Sequence, residues 1–130
     1  MKNKSRGRVI VVDDDPAICE LIKSALETNG FMAEVCENED DVKIAIGSRD
    51  GLPDAILMDA SMPGVDGISL CRHIKQNPAT AAIPIMIVSA YDDDKTRHDA
   101  LLFGADDFVA KPFEVKTLIE KIAALIAERK

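Results

Sequence analysis

Between Asp54 and Gly67 four consecutive apolar residues, Ala55-Ile56-Leu57-Met58, lead into one carboxylate, Asp59, before the chain turns at Ser61-Met62-Pro63-Gly64. A short unbroken apolar run bounded by turn residues predicts a strand buried on both faces, the kind found in parallel sheets covered by helices. Few folds accommodate such a strand. The same pattern puts Asp59 at the strand's carboxyl end, where open α/β sheets hold their ligand sites. On this stretch alone Asp59 reads equally well as a turn cap, because Asp commonly follows a strand.

The rest of the chain repeats the theme. Arg8 to Asp13 is a first strand, Val9-Ile10-Val11-Val12 stopped by Asp13-Asp14-Asp15, and residues 1–7 before it read as a loose basic tail. Asp15 can cap and Pro16 can open a helix whose stripe is Ile18, Leu21, Ile22, Ala25 and Leu26, ended by Asn29-Gly30. Phe31 to Cys36 is a second strand, and Asn38 can cap a helix with a narrow stripe of Val42, Ala45 and Ile46. After the Asp59 strand, Asp66 can cap a helix running to about Gln76, closed by Asn77-Pro78. Ile85-Met86-Ile87-Val88 forms a fourth strand and ends in Ser89. A weakly striped helix, Asp92 to Phe103, follows, with Ala100, Leu101 and Phe103 apolar near its end and Gly104 closing it. Asp107 to Ala110 is a short fifth strand leading to Lys111-Pro112, and the last helix has the clearest stripe, Val115, Leu118, Ile119, Ile122, Leu125 and Ile126. Five strands alternating with five helices predict one doubly wound α/β domain with helices on both faces of a parallel sheet.

At 130 residues the chain is long enough to build a core without staples. Its net charge of −7 argues against nucleic acid or an anionic membrane as a direct partner. No apolar run approaches the roughly 20 residues that span a bilayer, and the basic start is followed by too short an apolar stretch for a signal peptide. A cytoplasmic location is expected. Cys19, Cys36 and Cys71 fall in apolar patterns without metal-ligand spacing, so buried free thiols are expected. His98, alone on its helix, reads as a surface residue.

In a parallel sheet all the strand carboxyl ends point the same way, so Asp13, Asp14, Asp59, Ser89 and Lys111 should converge. Each has a bland reading as cap, terminator or surface charge; their joint placement at equivalent strand ends points to a site. Clustered carboxylates repel one another unless a cation sits among them. An all-oxygen donor set with few protein ligands suits Mg²⁺, with Mn²⁺ as second candidate. A carboxylate oxygen can attack phosphorus to give an aspartyl phosphate, and a lysine and a hydroxyl can offset charge on the transferring group.

These residues carry a resemblance. Val-Val-Asp13-Asp14-Asp-Pro, Leu-Met-Asp59-Ala-Ser-Met-Pro63-Gly-Val-Asp-Gly67, Val-Ser89-Ala90 and Gly104-Ala105-Asp-Asp-Phe108-Val-Ala-Lys111-Pro112-Phe113 resemble, in order, the motifs of the receiver domain of two-component response regulators, of the single-domain, chemotaxis-regulator-like kind. The resemblance covers residues 8–128 and implies a flavodoxin-like sheet of order 2-1-3-4-5, for which a member of this family is a standard example. It further implies that Asp59 accepts a phosphoryl group from a histidine kinase or histidine phosphotransfer protein. Asp14 would bind Mg²⁺ directly and Asp13 through water, with Asp59 and the Ser61 backbone carbonyl as further ligands. Ser89 and Phe108 would be switch residues, Lys111 would pair with the phosphoryl group, and Lys111-Pro112 would be cis. Ser61 and Tyr91 would form a rim over the path of the hydrolytic water, and their identities imply slow self-dephosphorylation.

The expected output is a changed surface on the fourth helix, fifth strand and fifth helix, read by a downstream protein, from a monomer or a phosphorylation-dependent dimer. The weak stripe of the fourth helix agrees, because a helix with few core contacts shifts at low cost. The alternative is a small phosphatase or phosphotransferase with an aspartyl nucleophile, such as the haloacid-dehalogenase type. It meets the Asp-x-Asp pattern at residues 13–15 but lacks length for a cap domain. An adaptor that has lost its chemistry is disfavoured because every acid-site residue is present, and a flavodoxin because an Asp-rich first turn repels flavin phosphate. No output domain is expected within the chain, so partner binding is the visible output.

Overall fold

A computed structural model describes residues 6–47, 51–60, 67–90 and 94–128. Strand and helix alternate along it: β1 (Arg8–Val12), α1 (Pro16–Thr28), β2 (Met32–Cys36), α2 (Glu39–Ile46), β3 (Ala55–Asp59), α3 (Gly67–Gln76), β4 (Ile85–Ser89), α4 (Asp94–Leu102), β5 (Asp107–Ala110) and α5 (Val115–Glu128). All strand pairs are parallel, in the order β2-β1-β3-β4-β5. This is the doubly wound, flavodoxin-like sheet the sequence predicts.

The unbroken apolar runs follow from the sheet being covered twice. Successive side chains point to opposite faces of a strand. Ile10, Val12, Ile56, Met58, Ile85 and Ile87 therefore pack on one face against α2 and α3 through Val42, Leu70 and Ile74. Val9, Val11, Leu57, Met86 and Val88 pack on the other against α1 and α5 through Ile22, Leu26, Leu118 and Ile122. β2, at one edge, alternates more, and Met32 on it is exposed.

The caps behave as read. Asp15 Oδ1 accepts from the amides of Ala17 and Ile18 at 3.0 and 3.3 Å, and Asn38 Oδ1 accepts from the Asp41 amide at 2.8 Å. The predicted cap Asp66 lies outside the described residues, as do Ser61 and Tyr91.

Two expectations need correction, while the weak stripe expected of α4 holds. The spacing predicts Leu21 on the inner stripe of α1, yet it is 49% exposed. The stripe is centred between Ile22 and the neighbouring Cys19 and Leu26, and at roughly 100° per residue Leu21 falls about 130° from that centre. On α4, Ala100 is the one buried side chain, while Leu101 and Leu102 face solvent. Burying one methyl contributes on the order of 0.8 kcal/mol, little for holding a helix. Finally, Arg6 and Gly7, read as the end of a loose tail, are tied down. The Arg6 amide donates to Gly30 O at 2.8 Å, the Met32 amide donates to Gly7 O at 2.9 Å, and the Arg6 guanidinium lies 4.7 Å over the Phe31 ring.

All three cysteines are buried and free. Burial pushes Cys19 and Cys71 up to about 11 and Cys36 up to about 12, against an ordinary 9.0.

Two outcomes follow from this packing. Ile56→Ala, at a fully buried position, should cost about 2–5 kcal/mol in denaturant unfolding. Leu21→Ala should cost under about 1 kcal/mol; equal costs would contradict the placement of Leu21. At about pH 8 the folded protein should react slowly with a thiol reagent and the unfolded chain rapidly, since thiolate is the reactive form. A folded-state reaction as fast as the unfolded one would mean the thiols are not buried.

Candidate functional site

Register decides which strand-end residues meet. Val12 pairs with Met58, so the next residues, Asp13 and Asp59, lie side by side. Asp59 in turn pairs with Val88, and Ser89 with Ala110, one step before Lys111. Backbone bonds carry the ladder into the loops: the Asp13 amide donates to Cys36 O at 3.2 Å, the Ala60 amide to Val88 O at 2.9 Å, and the Lys111 amide to Ser89 O at 2.8 Å. The site therefore stands on the rigid sheet, which limits drift of its side chains.

Asp13 and Asp59 are 4% and 5% exposed, Ser89 is fully buried, and Asp14 is exposed. Carboxylate oxygens of Asp13, Asp14 and Asp59 lie within 4.8 Å of one another. Lys111 Nζ donates to Asp59 Oδ2 at 3.1 Å and stands 3.5 Å from Asp13 Oδ2. The other Asp13 oxygen, Oδ1, accepts from the Asp15 amide at 3.0 Å, and the Cys19 thiol donates to the Asp13 carbonyl at 3.2 Å. Lys111-Pro112 is cis.

Burial raises the Asp13 carboxyl above its ordinary 3.8; the Asp15 amide opposes this, the Asp59 charge adds to it, and Lys111 pulls it down. Burial alone would lower the Lys111 ammonium, but its hydrogen bond and charge contact with Asp59, and Asp13 behind it, raise it above 10.5. Three carboxylates thus face one ammonium. The group could hold a metal, and its donors, all hard oxygens, fit a hard divalent cation.

Phe108 lies inside β5, 5% exposed, with its ring packed in the core. Two residues carry weight that the sequence reading did not assign. A Cβ on Gly67, the first residue of α3, would run into the Asp59 carbonyl oxygen and come within 2.9 Å of Ala60 Cα. Only glycine lets α3 begin this close to Asp59. Arg97 on α4 lies with its guanidinium 4.6 Å over the Phe108 ring. Gly67 lies within the Asp59 motif, but residue type alone does not show the close approach it allows, and no sequence signal marks Arg97.

Residues 9–123 match the model of the response regulator receiver domain. The phosphate regulon transcriptional regulatory protein PhoB of Rhizobium meliloti is 35% identical over 123 residues, covering 95% of this chain and 53% of that protein. The chain spans about half the length of the curated relatives it matches. Among solved structures, the receiver domain of the Francisella response regulator 1452 superposes with a TM-score of 0.85 at 34% identity, covering 95% of this chain and 99% of that one. The signal receiver domain of a histidine kinase from Syntrophus aciditrophicus gives 0.83 at 32%, covering 94% and 91%. None of these relatives supports the phosphatase alternative. No helix among the described residues is long and apolar enough to cross a membrane.

Removing one buried charge should stabilise the cation-free domain. Asp13→Asn keeps an acceptor for the Asp15 amide and should raise the melting midpoint measured with chelator present. Because the folded value of Asp13 lies above 3.8, its stabilising contribution is complete below 3.8 and is lost as pH rises through the folded value. The gap between variant and parent should therefore widen from acid to neutral pH. A variant that melts lower than the parent at neutral pH would contradict the charge account.

Proposed function

The chain belongs to the response regulator receiver domain family, and on that premise we propose that Asp59 is its phosphoacceptor in a cation-dependent switch. The ion pair between Lys111 and the buried Asp59 carries this reading. It sets an ammonium 3.1 Å from a nearly dry carboxylate, and a carboxylate oxygen is the nucleophile the reaction needs.

In this reading Asp59 attacks the phosphorus of a phosphohistidine on a kinase or phosphotransfer protein. The new bond is O–P, the P–N bond breaks, and the imidazole leaves with the electron pair and takes up a proton. Lys111 stays beside Asp59 and offsets the charge of the arriving phosphoryl oxygens, and the Ser89 hydroxyl moves in to donate to one of them. Asp13, Asp14, Asp59 and the Ser61 carbonyl would hold Mg²⁺, or Mn²⁺ in its place, whose charge neutralises phosphoryl oxygens when bound. Inward movement of Ser89 favours the buried Phe108 ring, and the surface of α4, β5 and α5 changes for a downstream protein or a second copy of the chain. The chain works as a switch in the cytoplasm, with no turnover of an external substrate beyond its phosphodonor, and residues 8–128 form the working domain.

Asp59→Asn keeps the side chain's shape but cannot attack, so phosphate incorporation from acetyl phosphate with Mg²⁺, followed by intact mass, should vanish while the fold is kept. Undiminished incorporation would sink the assignment. Lifetime is the second test. The resemblance implies a rim formed by Ser61 and Tyr91: a serine has no amide or carboxylate to hold the attacking water, and a tyrosine ring there would cover its path. Ser61→Asn, Tyr91→Glu and Tyr91→Ala should each speed phosphate loss by about 3–30-fold, roughly 0.7–2 kcal/mol of barrier. Loss no faster than the parent in all three would mean that the rim does not gate water.

A further inference from the structure

α4 has a weaker apolar stripe than the other helices, and two guanidinium–ring contacts lie along it. Its buried residue is Ala100. Over the neighbouring strand it lays the Arg97 guanidinium, 4.6 Å from the centroid of the Phe108 ring. At its other end Arg72 of α3 stands 5.4 Å over the ring of Phe103, the residue that follows α4.

A guanidinium within about 6 Å of an aromatic face is attracted by the ring's quadrupole, the more so when water is kept away. Arg97 is half-buried and Phe108 buried, so the contact is partly dry. It exists only while the ring stays inside β5 beneath α4, and a ring that swings out to solvent loses it. Phe108 has no hydroxyl to draw it outward. β5 also carries the ring directly to the site: Ile87 pairs with Phe108, Ser89 pairs with Ala110, and Lys111 follows.

We propose that Arg97 is a positioning residue that sets the balance between buried and exposed Phe108 and thereby links the seating of α4 to phosphorylation. This rests on Asp59 being the phosphoacceptor. The Phe103 stack, by contrast, holds the end of α4 without touching the switch ring.

The test uses the full chain labelled with fluorophenylalanine, whose four phenylalanines are resolved by ¹⁹F NMR, with the Phe108 signal assigned by Phe108→Leu. Without phosphodonor, Arg97→Gln should shift the Phe108 ring towards the exposed state by about 2–30-fold, the range such a contact supports. Arg97→Lys should give an intermediate shift, and Arg72→Gln should move the Phe103 signal but leave Phe108 alone. With acetyl phosphate and Mg²⁺, Arg97→Gln should slow phosphorylation, and it should have no further effect in the Phe108→Leu background. An unmoved Phe108 signal in Arg97→Gln, or an equal shift in Arg72→Gln, would overturn the proposal. If the parent itself takes up no phosphate, the Asp59 reading fails instead, and the donor-free ring balance still decides the role of Arg97.

Discussion

A carboxylate that is nearly out of water must find a counter-charge or give up its own, and the arrangement of this molecule's upper edge follows from that. Asp59 closes the central strand and is 5% exposed. Lys111 reaches it from beyond β5, two strands away in the sheet. That reach needs β4 to be seated between them in the correct register, with Ser89 beside Ala110. The ion pair is therefore satisfied only when the sheet is complete. A second negative group, Asp13, presses on the same lysine, which leaves the cluster short of positive charge and suited to a cation or to the cation-assisted arrival of a phosphoryl group.

Rigidity and looseness are placed differently around that edge. The strands beneath the site are covered on both faces, and their backbone bonds continue past the strand ends at Asp13, Ala60 and Lys111. Gly67 allows α3 to start against the Asp59 carbonyl. On the other side of β4, α4 contributes little apolar burial, and the guanidinium–ring contacts of Arg97 and Arg72 lie along it. A contact worth about 0.5–2 kcal/mol is of the size that a local rearrangement can overcome. In the proposed cycle the chemistry stays fixed and the neighbouring helix yields.

The fold was legible because its strongest signals are local. Each inner strand is an apolar run stopped by a polar residue, and the stops at Asp13, Asp59 and Ser89 mark the sheet's working edge. The caps Asp15 and Asn38 were legible for the same reason, since the bonds they make span three residues or fewer. What stayed hidden depends on angle or on distance across the chain. Leu21 belongs to the periodic set by spacing, yet falls outside the stripe once Cys19 enters the core. Gly67 is a glycine for a clash with backbone from another element, and Arg97 matters through a ring on the next strand. Neither relation leaves a mark in residue type or period. The anchoring of Arg6 was likewise out of reach, because its partners Gly30 and Phe31 are brought to it only by sheet pairing.

In the proposed cycle one particular carboxylate, Asp59, paired with Lys111, takes the phosphoryl group. Borohydride reduces an acyl phosphate to the alcohol and so marks its position as homoserine. Peptide mapping after treatment with acetyl phosphate, Mg²⁺ and borohydride should find homoserine at position 59 alone, and none when a chelator replaces Mg²⁺. Homoserine at Asp13 or Asp14, or at position 59 in equal yield without Mg²⁺, would contradict the account.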